Sequence, residues 1–306
     1  MSTKNLEEKA DMMMCCAACG TAEVDDIKLK TCTACKSVRY CSIKCQKEHR
    51  SQHKKACKKR AAELRDELLF KQPETTALGD CPICLLPLPL DLEKYKMQSC
   101  CSKIICIGCA HAHSSQRREE CPFCRYPVQP EEDDEIIQNN TRRAEANDPI
   151  ALQWMGSLRN AVGDYSSAFQ YWTKAAELGE IISHFYLGLM YHLGNGLEKD
   201  EKKETYHMEQ AAIGGHPEAR FILGSDEWHY GSKERGTKHI VIAAKLGHDT
   251  AVKILREYVY AAGFISKEEF AEVLRAHQAA LDAMKSPQRE DAEKFKALMQ
   301  EWERRE

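Results

Sequence analysis

The feature that most constrains this chain is the density of cysteine in its first part. The chain has 306 residues and 16 cysteines, and all of them lie before residue 125. Three Cys-x-x-Cys pairs and one adjacent Cys pair supply eight of these thiols: Cys81, Cys84, Cys100, Cys101, Cys106, Cys109, Cys121 and Cys124. Thiolates two residues apart can hold one side of a tetrahedral zinc ion, and a second pair can close the other side. Eight thiols at this spacing therefore predict two structural zinc sites.

Disulfide bonds are the usual alternative explanation for many cysteines, and they form in secreted proteins. The first residues, Met1 to Lys9, lack the apolar core of a signal peptide, and no apolar run approaches the length of a membrane span. We therefore expect a reducing compartment, either cytoplasm or nucleus, in which these cysteines bind Zn²⁺. Hydrophobic residues make up 43% of the chain and charged residues 30%, as in soluble proteins.

The segment from Cys81 to Arg125 resembles a RING finger. The resemblance implies two interleaved zinc sites, one held by the first and third cysteine pairs and the other by the second and fourth. The first site would use Cys81, Cys84, Cys106 and Cys109, and the second would use Cys100, Cys101, Cys121 and Cys124. Interleaving ties both ends of the segment to its middle, so two metal ions replace the hydrophobic core that so short a segment lacks.

The second cysteine pair departs from the common RING pattern. Most RING fingers have a histidine three residues before the fifth ligand, where this chain has Lys103, which cannot bind zinc while it is protonated. The segment is thus closer to the all-cysteine variants, with Cys101 in the place of the fourth ligand and Cys100 as the third. Because adjacent ligands have a tight bite, His111 and His113 remain alternatives to Cys100.

RING fingers are ubiquitin ligases that hold a ubiquitin-loaded conjugating enzyme, the E2, with its thioester open to attack by a substrate lysine. The resemblance implies that Ile83 and Pro122 make an apolar contact with the E2, and that the cation Arg125 bridges the E2 and ubiquitin. Each residue also has a local alternative role, in shaping a zinc loop or as a solvated side chain. The stretch after Cys109 carries no large residue to line the E2 groove. A non-catalytic zinc-finger scaffold that only assembles protein partners is the alternative function.

An earlier segment carries eight further candidate ligands: Cys16, Cys19, Cys32, Cys35, Cys41, Cys45, His53 and Cys57. Its Tyr-Cys-x-x-x-Cys-Gln core at residues 40–46, followed by His-x-x-x-Cys at residues 53–57, resembles a MYND zinc finger. The resemblance implies one zinc ion bound by Cys16, Cys19, Cys41 and Cys45, and another bound by Cys32, Cys35, His53 and Cys57. Both resemblances together imply four zinc ions in the chain.

The segment departs from the MYND pattern at Arg50, where the family usually has tryptophan, so its surface for proline-rich peptides is expected to be altered. His49 falls outside the ligand spacing, and we expect it to be solvated. Twelve basic residues and one acid, Glu48, lie between Lys28 and Arg60, and such a surface could attract phosphate groups. MYND fingers usually bind proteins, and the net charge of −3 does not mark the whole chain as a polycation. Protein partners are therefore expected, and nucleic acid is not.

The second half of the chain is repetitive. Glycines that follow an apolar stripe recur at residues 156, 188 and 224, and alanine pairs recur at residues 175–176, 211–212 and 243–244. The step from an alanine pair to the next glycine stays at 13 residues, whereas the other connection, near Gly194 and Gly196, varies. This spacing predicts stacked helix pairs with one connection fixed by packing.

Residues 148–257 resemble Sel1-like repeats, relatives of tetratricopeptide repeats. The resemblance implies a helical solenoid that binds other proteins, with a degenerate last unit in which Arg256 stands at the place of the glycine. After the repeats, Ser266 and Glu269 have the spacing of a capping box that starts another helix. We expect the final helices to cap the open end of the solenoid.

These patterns predict a mainly α-helical protein in which two small cross-brace zinc modules precede an α-helical solenoid. Every predicted zinc site has four protein ligands, which leaves no position for a catalytic water, and no catalytic residue is expected. The expected order along the chain is a disordered tail at residues 1–13, a MYND-type finger at residues 14–60, a helical linker at residues 61–79, a RING-type finger at residues 80–128, an acidic linker at residues 129–147, Sel1-like repeats at residues 148–257 and C-terminal capping helices at residues 258–306.

Overall fold

The computed structural model describes residues 15–89, 91–116, 120–127 and 133–305, and the expected tail at residues 1–13 lies outside these ranges. The chain divides into two compact units, one ending at Lys71 and the other beginning at Gln72. Most described residues lie in helices, and the sheets of the described part are two short hairpins. The fold is therefore mainly α-helical, as the sequence predicted.

The N-terminal unit contains one hairpin and one long helix. Strand β1 (Lys30–Thr31) pairs antiparallel with β2 (Arg39–Tyr40). Helix α1 (Ile43–Leu69) begins after Ser42, whose hydroxyl accepts a hydrogen bond from the N–H of Cys45 and so satisfies one of the free donors of the first turn. The helix predicted in the linker of residues 61–79 is the C-terminal part of α1, which runs on without interruption from the ligand-bearing segment.

Most of the buried residues in the N-terminal module, residues 15–60, are cysteines. Its buried cluster contains six residues: Cys16, Leu29, Cys32, Cys35, Tyr40 and Cys45. Four of these six are cysteines, so leucine and tyrosine supply only a small apolar core. A module of this size needs another source of stability, and bound metal is the usual one.

The second unit begins with the central module, residues 80–127. Strands β3 (Tyr95–Met97) and β4 (Ile104–Cys106) form an antiparallel hairpin in which Tyr95 lies opposite Cys106. Helix α2 (Ile107–Ser115) follows directly, and the sulfur of Cys106 accepts a hydrogen bond from the N–H of Cys109 at its first turn. The buried cluster of this module again contains three cysteines beside Leu88 and Ile105.

The repeats follow helix α3 (Asp133–Glu145), which occupies most of the segment expected to be an acidic linker; residues 129–132 lie outside the described ranges. Three helix pairs then follow one another along the chain. The first pair is α4 (Pro149–Ala161) with α5 (Tyr165–Glu177), the second is α6 (Ile181–Leu193) with α7 (Glu201–Ile213), and the third is α8 (Pro217–Tyr230) with α9 (Lys233–Lys245). Each helix packs against its partner in the pair, and the second helix of each pair also packs against the helix that follows it, as in a solenoid.

Glycine allows the two helices of each pair to approach closely. A Cβ atom built on Gly156 would lie 2.5 Å from the ring of Trp172, and one built on Gly224 would lie 2.6 Å from Ile240. All three predicted alanine pairs are buried between helices. The small residues of the repeat pattern are therefore packing positions, as their spacing indicated.

The connections between pairs are uniform, whereas those within pairs vary. Residues 178–180, 214–216 and 246–248 link successive pairs, and each link is three residues long with a left-handed glycine in its second position. Within pairs, the connections are residues 162–164, 194–200 and 231–232. The extra residues of the second repeat thus lie around Gly194 and Gly196, where the spacing predicted them.

The last repeat changes its helical register. Helix α10 (Asp249–Ile254) continues into a π-helical turn, Leu255–Tyr260, in which Leu255 and Val259 are buried and Arg256 is exposed. Arg256 is the residue that the repeat spacing places where a glycine is expected, and the π-helical turn leaves its side chain on the outer face.

Two helices complete the chain. Helix α11 (Lys267–Ala283) begins with the predicted capping box of Ser266 and Glu269 and packs against α9 at the end of the solenoid. Helix α12 (Pro287–Glu303) instead packs against α2 of the central module. Within the described ranges, no helix is long and apolar enough to cross a membrane.

Candidate metal centres

Sixteen side chains form four clusters of potential metal ligands. The members are Cys16, Cys19, Cys41 and Cys45; Cys32, Cys35, His53 and Cys57; Cys81, Cys84, Cys106 and Cys109; and Cys100, Cys101, Cys121 and Cys124. Within each cluster, the ligand atoms all lie within 4.8 Å of one another. The structure thus brings together the four sets that the two family resemblances implied, and both modules interleave their clusters along the chain.

The two histidines considered as alternatives to Cys100 lie elsewhere. His113 Nε2 is 2.7 Å from the carbonyl oxygen of Glu120. The ring of His111 packs on the ring of Phe295 in helix α12, with 4.8 Å between centroids. Cys100, in contrast, has its sulfur 3.4 Å from that of Cys124.

The distances within the clusters fit tetrahedral zinc. A Zn–S bond of about 2.3 Å places two sulfur ligands of one tetrahedral ion about 3.8 Å apart. The Cys32–Cys57 sulfurs are 3.8 Å apart, and the Cys84–Cys106 sulfurs are 3.7 Å apart. Disulfide sulfurs would be about 2.05 Å apart, and none of the described cysteines forms such a bond.

Four Cys-x-x-Cys pairs share one backbone turn. In the pairs that begin at Cys16, Cys32, Cys81 and Cys121, the N–H of the residue after the second cysteine donates to the carbonyl of the first, at 2.8 to 3.0 Å. The donating residues are Gly20, Lys36, Leu85 and Arg125, and all four have a positive φ between 54° and 73°. The left-handed residue turns the chain back, so both thiols point toward the same centre.

This turn also favours the thiolate form of its first cysteine. Burial opposes ionisation of Cys16, but nearby backbone N–H groups outweigh burial and lower its pKa to about 6. The same balance lowers the pKa of Cys32 to about 6 and that of Cys81 to about 7. Metal ions bind thiolate, so these turns prepare one ligand of each cluster.

At least one other thiol of each cluster resists ionisation beside its neighbours. Hydrogen bonding to Cys19 and its neighbours raises the pKa of Cys41 to about 12, and burial together with Cys32 raises that of Cys57 to about 11. A divalent cation at the centre of the cluster would remove this repulsion between neighbouring thiolates. The geometry and the electrostatics of the donor sets therefore both fit Zn²⁺.

His49 has a structural role that the sequence analysis missed. It was expected to be solvated, but it is half-buried, and its ring stacks on that of His53 at a centroid distance of 5.7 Å. The hydroxyl of Tyr40 lies 3.2 Å from His49 Nδ1. Tyr40 and His49 therefore orient the one histidine among the candidate ligands. The signal was the four-residue spacing of the two histidines on a helix.

An arginine of helix α3 supports the Cys100 cluster. Arg143 Nε donates to the hydroxyl of Ser102 at 2.7 Å, and Nη1 is 3.4 Å from the carbonyl oxygen of Cys100. The same guanidinium pairs with Asp148, the N-cap of α4. Asn139 of α3 also reaches the hydroxyl of Ser99. The segment expected to be an acidic linker thus holds the ligand-bearing turn of the central module.

An arginine of helix α12 supports the Cys81 cluster in the same way. Arg289 donates to the carbonyl oxygens of Pro87 at 2.8 Å and Leu86 at 3.2 Å, and its Nη2 is 3.5 Å from the sulfur of Cys84. Four thiolates around one Zn²⁺ would carry two net negative charges, which a guanidinium offsets.

Gly108 of α2 allows this close approach, because a Cβ there would lie 2.7 Å from the Arg289 backbone nitrogen. Gly108 and Arg289 are far apart in sequence, and neither shows a local pattern that points to the other.

The three residues that the RING resemblance assigned to E2 and ubiquitin contacts lie on the surface of the central module. Ile83 is 44% exposed between Cys81 and Cys84, and Pro122 and Arg125 are exposed beside the last cysteine pair. Phe123 is also exposed, at 36%. Apolar side chains on two zinc turns are thus available to a partner.

Parts of the chain are similar to one known family and to solved structures. The MYND finger family model matches residues 16–57. Among solved structures, the chain is similar to a Sel1 repeat protein from Oxalobacter formigenes, with 28% identity, a TM-score of 0.44 and coverage of 51% of this chain and 67% of that one. It is also similar to a protective antigen of uropathogenic Escherichia coli that displays an SLR fold, with 19% identity and a TM-score of 0.40. This match covers 53% of this chain and 36% of that one. No curated protein matches the chain.

Proposed function

We propose that this protein is a zinc-binding, RING-type E3 ubiquitin ligase that positions a ubiquitin-loaded E2. The observation that carries the proposal is the interleaving of two four-cysteine clusters in the central module, with apolar side chains exposed on the first and last cysteine turns. Four zinc ions, two per module, would hold these turns in place. Ligand identities in all four sites follow the clusters described above.

Positioning is the only contribution that this surface needs to make. An E2 carries the reactive thioester itself, so a ligase accelerates transfer by restricting the orientation of the bound conjugate. Ile83 and Pro122 offer the E2 an apolar contact without loss of the module's own core, because both are exposed. Arg125 follows the last cysteine directly and is exposed, so its guanidinium is free to bridge two carbonyl groups.

The MYND-type finger and the helical repeats would then recruit protein partners or substrates. MYND fingers and stacked helix pairs both offer extended surfaces without an enzymatic site. Residues 16–57 match the MYND finger model, which supports this role for the N-terminal module. The E2 and the substrate are accordingly expected to bind different parts of the chain.

The alternative is a non-catalytic scaffold in which the central module only assembles partners. One observation favours it: after Cys109, helix α2 presents only alanine, histidine and serine, and none of these is a large apolar side chain that would deepen the groove for an E2. A shallow groove would weaken E2 binding while it leaves the metal sites intact.

An autoubiquitination assay with a panel of E2 enzymes distinguishes the two functions. The zinc-loaded full chain is expected to form ubiquitin chains with at least one E2, and Ile83→Ala or Arg125→Ala should reduce the rate at least tenfold. Leu298→Ala is the matched control for Ile83→Ala, because Leu298 is exposed on helix α12. Equal rates for the wild type and both central-module variants, or no product with any E2, would leave the scaffold as the better account.

A further inference from the structure

A cleft of about 710 Å³ opens in the second unit where three parts of the chain meet. Its walls come from the central module after the first cysteine pair, from the solenoid and from the C-terminal helices. Representative lining residues are Leu92, Tyr95, Phe185, Tyr186, His216 and Met284. The volume lies within the range of ligand sites, about 300–1,000 Å³, and the lining is largely apolar and aromatic, as in such sites.

His216 presents a hydrogen-bond donor to this cleft. The residue is only 5% exposed, and its ring stacks on that of Phe185 with 4.1 Å between centroids. Its Nδ1 accepts a hydrogen bond from the N–H of Ala219, so the neutral ring carries its proton on Nε2. Burial lowers the pKa of His216 to about 4, which keeps the ring neutral at pH 7.

His248 in the next repeat is equivalent to His216, but in the described part of the chain it makes one more hydrogen bond. His248 caps α10 as His216 caps α8, and its Nδ1 likewise accepts a backbone N–H, from Ala251. His248 donates through Nε2 to the carboxylate of Glu218 at 2.7 Å. Among the described residues, Nε2 of His216 makes no corresponding hydrogen bond. This N–H group faces the cleft, where it can donate to an acceptor that a ligand brings.

The charges at the cleft favour a cationic ligand. Five acidic residues line it, Asp91, Glu218, Asp249, Glu290 and Glu293, against three cations, Lys94, Lys285 and Arg289. Lys94 pairs with Glu293 at 3.6 Å, so these two charges offset each other. The remaining balance is negative, and it complements lysine or arginine in a partner.

We infer that the cleft between the central module, the solenoid and the C-terminal helices binds an extended peptide of a partner protein, in which a large apolar side chain is flanked by lysine or arginine. The apolar side chain enters among the aromatic residues, a peptide carbonyl accepts from His216 Nε2, and the cationic neighbours meet the acidic rim. This inference goes beyond ubiquitin transfer and does not require it.

Selection from a phage-displayed library of random 12-residue peptides on the zinc-loaded full chain tests the inference. The enriched peptides are expected to share an aromatic or long aliphatic residue next to Lys or Arg. A synthetic copy of an enriched peptide should bind with an affinity that falls as salt is raised from 50 to 300 mM, because its cationic residues meet an acidic rim. Enriched peptides without this pattern, or no enrichment at all, would overturn the inference.

Substitutions of cleft residues test whether the peptide binds in the cleft. Leu92→Lys is expected to weaken binding at least tenfold, because it removes apolar surface and adds a cation to the cleft, and Leu92 is 69% exposed, so the core is untouched. His216→Asn keeps a helix-capping side chain but lacks the Nε2 donor, and it should weaken binding about tenfold.

Leu298→Lys is the matched control, because Leu298 is 65% exposed on α12 and does not line the cleft. It should change binding less than twofold. Equal binding by the wild type and Leu92→Lys would refute the placement. Since these measurements contain no E2 or ubiquitin, their outcome is separate from that of the ligase assay.

Discussion

Arg289→Met is expected to loosen metal binding in a module that lies about two hundred residues earlier in the sequence. The guanidinium of Arg289 joins helix α12 to the Cys81 cluster through the carbonyls of Leu86 and Pro87 and the sulfur of Cys84. Methionine preserves much of the side-chain volume but removes every donor. The variant therefore tests the hydrogen bonds and the charge rather than the packing.

The expected magnitude follows from the bonds that are lost. A hydrogen bond from a charged donor contributes about 1.5–3 kcal/mol, and bonds within one network do not add fully. With three bonds from Arg289 to the central module, we take a net loss of about 3 kcal/mol, which corresponds to roughly a hundredfold weaker zinc retention at this site. The zinc retention of Arg289→Lys should lie between that of the wild type and that of Arg289→Met, because lysine keeps the charge but lacks the planar guanidinium with its several donors.

Competition with a coloured zinc chelator measures the effect directly. The wild type is expected to release its zinc ions only at high chelator concentration, whereas Arg289→Met should release about one ion per chain at a much lower concentration. Arg304→Met is the control at the end of the same helix, since Arg304 directly follows α12, is exposed, and in the described part of the chain donates to the carbonyl of Gln300 rather than to the central module. Identical release curves and melting temperatures for Arg289→Met and wild type would show that the guanidinium does not support the metal site.

Three further predictions concern packing, pH and the N-terminal module. Gly224→Ala should destabilise the repeats by about 1–3 kcal/mol in urea unfolding, because its Cβ would lie 2.6 Å from Ile240, whereas Ser225→Ala should have little effect. Burial lowers the pKa of His216 to about 4, so as the pH falls this imidazole is protonated in the unfolded chain before it is protonated in the folded chain. The free energy of unfolding should therefore fall between pH 6.5 and pH 4, by up to about 3 kcal/mol. The same unfolding series with His216→Asn should show a shallower pH slope, and an unchanged slope would contradict the assignment. A strong chelator should unfold residues 15–60, and an unchanged NMR spectrum of this module would refute a metal-dependent fold.

The metal clusters were largely predictable because their information is local. A Cys-x-x-Cys pair specifies a turn, and four of the five pairs here use a left-handed residue after the second cysteine together with the same backbone hydrogen bond. The family resemblances then implied which pairs meet, and the structure brings those sulfurs together. His49 escaped prediction because it lies outside the ligand pattern and acts through the ring of His53.

The helix pairs were predictable for a similar reason. The regular spacing of small residues identifies each repeat, and the glycine at a helix crossing is needed only for the packing of the two helices in that pair. The spacing therefore located both the close approaches at Gly156 and Gly224 and the variable connection near Gly194. The π-helical turn at Leu255–Tyr260 was not predicted. It buries Leu255 and Val259 in a cluster with residues of neighbouring helices, so it depends on tertiary packing.

The turns of the Cys-x-x-Cys pairs, the helix pairs and the mainly helical class could be predicted from the sequence, because each depends on residues that lie close together in the chain. The support of the central module instead depends on tertiary contacts. Arg143 and Arg289 reach its two clusters from helices that the sequence assigned to a linker and to a cap. Such contacts join residues up to 205 positions apart and leave no periodic or local signal. Only the packed chain places an arginine beside each cluster and leaves a cleft between the module, the repeats and the C-terminal helices.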